Sequence, residues 1–133
     1  MRANRDGGMN PAVLQVLARM VAGHPAGFFW RDPQGPLRFK GLLLDHCENG
    51  CRAEIHLLCA ALEEQVPAQL LVSRGREPVR TTLGRLAGVL EEDRSVRLDA
   101  ALWAVEAWAR ALGTASEEEC AAARREILAY RAG

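Results

Sequence analysis

The chain has 133 residues, 49% of them hydrophobic and 26% charged, and its 17 basic and 17 acidic side chains cancel to a formal net charge of +0. That length buries roughly two-thirds of the unfolded surface, so one core needs neither disulfides nor a metal, and the composition lies outside the disordered regime. A neutral chain has no overall field to draw in a polyanion or an anionic membrane, and no run approaches the ~18 apolar residues of a membrane helix.

Residues 1–9 read as a flexible N-terminus without the apolar stretch of a signal peptide, which leads to the expectation of a cytoplasmic protein with reduced thiols. Asn10 and Pro11 offer a cap and a first-turn proline to a first helix. Its face is Val13, Leu14, Leu17, Met20 and Val21, and Gly23 ends it. GHPAGFFWRDPQGP is too rich in glycine and proline for regular structure, yet Phe28, Phe29 and Trp30 give it reason to dock on the core as an ordered loop. Leu37, Phe39, Leu42, Leu43 and Leu44 mark a second helix, stopped at Asn49-Gly50, and a third runs from about Cys51 to Glu64.

Pro67 opens a short fourth helix carrying Leu70 and Leu71, followed by an exposed SRGREP loop at 73–78. Thr82, Leu83, Leu86, Val89 and Leu90 predict a fifth helix. Ser95 is the expected cap of a sixth, whose Leu98, Leu102, Val105, Ala109 and Leu112 recur at steps of three and four until Gly113. Ser116 with Glu119 is a capping-box pattern, and Glu117 to Glu119 followed by Arg124 and Arg125 match the dipole of a last helix. No strand alternation and no internal repeat is evident. The expected fold is all-α, a compact bundle of six to seven helices, with residues 10–113 as the main module and 114–133 as a C-terminal helix packing on or extending from it.

DHCENGCRAEIHLLC raises the question of a metal. On a helix beginning at Cys51, positions 51, 55, 58, 59 and 62 form one stripe of Cys, Ile, Leu, Cys and Leu, as a core face would. Cys51 and Cys59 stand about 12 Å apart along that axis, whereas two thiolates on one zinc each lie ~2.3 Å from it. A smaller set of His46 or Cys47 with His56 and Cys59 remains a zinc alternative, without the short C-x2-C knuckle. There is no G-x-S-x-G elbow, phosphate-cradling loop or H-E-x-x-H, so an enzyme and a cofactor are not expected, and the carboxylates read as solvated helix faces.

The charged candidates for contact are Arg74, Arg76, Arg80 and Arg85, facing acidic Glu91, Glu92 and Asp93 as complementary surfaces for head-to-tail association. The same arginines carry the alternative of a DNA-binding or regulatory helical protein, although no basic recognition helix stands out. Trp103 and Trp108, five apart on the sixth helix, point in different directions, which makes core packing the default and an exposed member a candidate interface anchor.

GLLLDHC, RAEIHLLCAALEEQVPAQLL and GRLAGVLEEDRSVRLDAALWAVEAWARALG, within residues 36–113, resemble a small helical module found mostly in cyanobacteria and other signalling-rich bacteria. The closing stretch, Ala101 to Gly113, is the most specific part, and Ala53 departs from a basic residue often found there. The resemblance implies an adaptor, effector-associated or death-like in role. Such modules occur beside kinase, TIR, and formylglycine-generating-enzyme or C-type-lectin-like domains, including variable proteins of diversity-generating retroelements. It implies a protein partner, either a second copy or a neighbour-encoded effector, in a bacterial defence or signalling assembly.

Overall fold

A computed structural model describes residues 11–24, 27–47 and 51–132. The expectations for residues 1–9, the Asn10 cap and the Asn49-Gly50 turn lie outside them. Seven helices follow one another among the described residues: α1 (Ala12–Ala22), α2 (Gly35–His46), α3 (Arg52–Glu63), α4 (Val66–Ser73), α5 (Val79–Arg94), α6 (Leu98–Leu112) and α7 (Glu117–Ala132). No described helix is long and apolar enough to cross a membrane.

The sixth helix is the axis of the bundle, with α1, α3, α4 and α5 packed around it and α7 lying chiefly on α5. Its sequence explains the position. Ala101, Leu102, Trp103, Ala104, Val105, Ala107, Trp108 and Ala109 are all buried, so the helix is apolar nearly all round, as an enclosed helix must be. Four of those eight are alanines, which let neighbouring backbones approach closely. Leu98 and Leu112, at the ends of the predicted stripe, are only half-buried because the neighbours do not reach that far.

The Phe-Phe-Trp loop docks as expected. Phe29 is buried against Phe39, ring centroids 5.3 Å apart, and Phe39 in turn lies 5.1 Å from Trp108. Trp30 meets the edge of Trp108 at 6.2 Å, and the Trp108 indole N–H donates to the Leu58 carbonyl at 3.2 Å. The turn is held by backbone bonds from Trp30 and Arg31 to the Gly27 carbonyl and from Gly35 to the Asp32 carbonyl, while the Asp32 carboxylate accepts from the Gln34 N–H.

Helix ends show where local signals hold and where they do not. The capping box at α7 is complete, since Ser116 Oγ accepts from the Glu119 N–H at 3.1 Å and the Glu119 carboxylate accepts from the Ser116 N–H at 2.8 Å. Ser116→Ala should therefore lower stability by about 1 kcal/mol, read from the midpoint of urea unfolding, and an unchanged midpoint would refute the cap. Gly113 ends α6 at φ 75° as its position implied. Ser95 does not cap α6. It sits left-handed at φ 55° as the C-cap of α5, and α6 starts three residues later, at Leu98, behind an extended Arg97 with no side-chain cap. Serine is by preference an N-cap residue and a left-handed C-cap ordinarily falls to glycine or asparagine, so the bend between α5 and α6 overrides the local preference here.

Ion pairs tie the outer helices down. Arg94 at the end of α5 reaches both Glu63 and Glu64 at 2.9 Å, and Arg124 of α7 meets Glu106 of α6 at 2.9 Å.

Candidate functional site

The candidate charges divide into those the fold uses and those it leaves outward. Arg85 donates to Glu77 at 2.7 Å and to Ser73 Oγ at 3.0 Å, and the Thr82 hydroxyl donates to the same Glu77 oxygen at 2.7 Å. The Arg85 and Thr82 hydrogen bonds hold the Glu77 carboxyl below its ordinary range. This knot fastens the 73–78 loop onto α5. Arg80 pairs with Glu126 at 2.8 Å and Glu91 with Arg131, both between α5 and α7. Arg74 and Arg76 are exposed and enter no ion pair among the described residues, and Glu92 and Asp93 are exposed as well. A hydrogen bond to Glu64, and that group's charge, push the Asp93 carboxyl upward. Arg74 and Arg76 precede the N-terminus of α5, and the exposed Glu92 and Asp93 lie at its C-terminus, roughly 20 Å away along the helix. Opposite charge at opposite ends is the arrangement that head-to-tail contact would use.

Both tryptophans of α6 are interior. Trp108 is 0% exposed and Trp103 is 9% exposed, so neither anchors a surface in the single chain. The packing all round α6 leaves neither direction open, although the two side chains diverge.

The apolar anchors lie elsewhere. On α2, Phe39 and Leu43 are buried, but Leu37 is 71% and Leu44 51% exposed. Seven residues apart on a helix, these two lie on nearly one line, with exposed Lys40 and Gly41 between them. The signal was present in the sequence: three consecutive leucines at 42–44 span too wide an arc for all to face one core. Leu71 and Val72 of α4 and Leu128 and Tyr130 of α7 are further exposed apolar side chains.

Leu44 and Lys40 also border a groove of about 870 Å³ between α2 and α3, with Cys47, Arg52, His56 and Cys59 among its lining. Cys51, Ile55, Leu58, Cys59 and Leu62 are buried along α3, as their common stripe predicts. Burial first, and Glu63 second, push the Cys59 thiol up to about 11. The His46 Nδ1–H donates to the Leu42 carbonyl at 2.8 Å, closing one ring nitrogen onto its own helix. Among the described residues no three His, Cys, Asp or Glu side chains assemble to hold a metal ion, so His46, Cys47, His56 and Cys59 are not brought together as a ligand set. No protein-family model, curated protein or solved structure matches the chain.

Proposed function

We propose that this chain is a non-enzymatic protein–protein interaction module, acting in the cytoplasm as an adaptor of a bacterial defence or signalling assembly. The exposed Leu37–Leu44 line of α2 carries the reading. It sits on a bundle whose other large apolar side chains are mostly enclosed, and apolar surface held outward in this way is what a partner covers. The exposed Lys40 beside it and the separated Arg74/Arg76 and Glu92/Asp93 charges supply orientation more than affinity. Arg80 and Arg85, engaged within the chain, leave only Arg74 and Arg76 free in the segment that a DNA-binding reading would need.

The test offers the full chain to a second copy of itself and to the products of adjacent genes, using light scattering across concentration and pull-down. A complex that weakens in the Leu37→Asp/Leu44→Asp double variant is the expected result. Both positions are exposed, so the double variant should lose only about 1 kcal/mol, from helix propensity, and remain folded. A chain that stays monomeric and captures none of these proteins would count against the proposal.

A further inference from the structure

The groove of about 870 Å³ between α2 and α3 has a shape and a charge that narrow what can lie in it. On α3 its lining positions are 52, 55, 56, 59, 60 and 63, one helical face at steps of three and four. The trough therefore follows α3 for about 16 Å, or three turns. Ile55, Cys59 and Ala60 are buried and form an apolar floor. Arg52 and His56 on α3, and Lys40 and Leu44 on α2, are exposed and form the rims. Charge on those rims is uneven. Arg94 reaches the Glu63 carboxylate at 2.9 Å and engages it within the chain. Lys40, Arg52 and His56 enter no ion pair among the described residues, and Asp45 is the one lining carboxylate of which the same is true.

Both walls are helices whose backbone groups are bonded within themselves, so the groove offers no sheet edge to an extended strand. A small ligand gains most where nearly all of its surface is enclosed, which exposed rims do not provide. A segment that satisfies its own backbone, and lays an apolar stripe on the floor with acidic side chains toward the rims, meets every feature of the trough. Given the interaction reading above, on which this rests, we infer that the α2–α3 groove receives an amphipathic helix of a partner protein, acidic on both flanks of its apolar stripe. Its apolar residues cover Leu44, Ile55, Cys59 and Ala60. Its carboxylates face Lys40 on one rim and Arg52 and His56 on the other, and this complementarity selects the partner and sets its register.

The probe is a synthetic fluorescent peptide of about four helical turns, with leucine at every third or fourth position, glutamate on both flanks and alanine elsewhere. A twin peptide carries lysine at each glutamate position. Fluorescence anisotropy follows both against the full chain at about 0.15 M ionic strength, where weak long-range attraction is screened. The acidic peptide should bind saturably and about tenfold or more tighter than its twin. Lys40→Glu/Arg52→Glu should invert that preference. Both positions are exposed, and a glutamate at 52 enters the first turn of α3 where the helix dipole favours it, so the fold is retained, as circular dichroism would show. Arg74→Glu/Arg76→Glu makes the same change of charge away from the groove and should bind as the parent does. Equal affinity for the two peptides, no saturable binding of the acidic one, or equal loss in both double variants would overturn the inference. A second copy or neighbour-encoded protein that binds the chain but is unmoved by Lys40→Glu/Arg52→Glu would overturn it too, while leaving the interaction reading in place.

Discussion

Trp108→Ala should destabilise the fold by about 3–5 kcal/mol, the range for removing a fully enclosed large aromatic side chain. Trp108 is where three separately formed parts of the chain meet: Phe39 from α2, Trp30 from the preceding loop and the Leu58 carbonyl from α3. Truncation removes the ring contacts and leaves a cavity at the centre of the helix that the others surround. The loss is a large share of the roughly 5–15 kcal/mol that holds a domain of this kind together. Trp108→Phe separates the components, since it keeps an aromatic ring but loses the N–H donated to Leu58. It should fall well short of the alanine variant. Urea unfolding followed by far-ultraviolet circular dichroism measures both. An alanine variant within about 1 kcal/mol of the parent would mean that α6 is not the enclosed axis.

Gly35→Ala should also destabilise, although a glycine-to-alanine change inside a helix ordinarily gains up to about 1 kcal/mol. A Cβ at Gly35 would run into the carbonyl of Phe29, standing 2.6 Å from its carbon and 3.0 Å from the Phe29 Cα. Those are backbone atoms and cannot rotate aside. The turn must shift, and Phe29, 1% exposed, must leave its seat between Phe28 and Phe39. The expected cost is about 1–3 kcal/mol, the ordinary range for overpacking, or a fall in Tm of roughly 4 °C for each kcal/mol. Gly88→Ala is the internal control. It lies within α5 with nothing within 4 Å of a new Cβ, and should raise Tm slightly. If both variants moved in the same direction, the close approach of α2 to the Phe29 turn would be wrong.

How much of this was legible beforehand depends on the range of the physics involved. Signals confined to one turn were read correctly: the Ser116/Glu119 box, Gly113 as a helix stop, Pro67 in the first turn of α4. Long apolar periodicity placed α6, because Leu102, Val105 and Ala109 recur whatever surrounds them. What periodicity does not carry is the number of neighbours a helix has. Ala101, Ala104 and Ala107 look neutral in sequence, and only the packing of four helices around α6 shows that they are buried. The same gap hides the exposed apolar surface. Leu37 and Leu44 read as core because they are leucines in helical register, yet both are exposed on α2. Arg80 and Arg85 look available in the sequence because Glu126 is 46 residues from Arg80, and Glu77, eight residues before Arg85, lies in a loop whose path against α5 periodicity does not carry. Ser95 differs for another reason, as the α5–α6 bend holds it left-handed at the end of α5 against its preference for an N-cap.

The most direct measurement is the affinity of the full chain for the proposed partner, a second copy or a neighbour-encoded protein, compared with that of Leu37→Asp/Leu44→Asp at matched helicity. Two introduced carboxylates on the exposed line of α2 should weaken binding at least tenfold, a loss of about 1.4 kcal/mol. Equal binding by the folded double variant would contradict the assignment of that face.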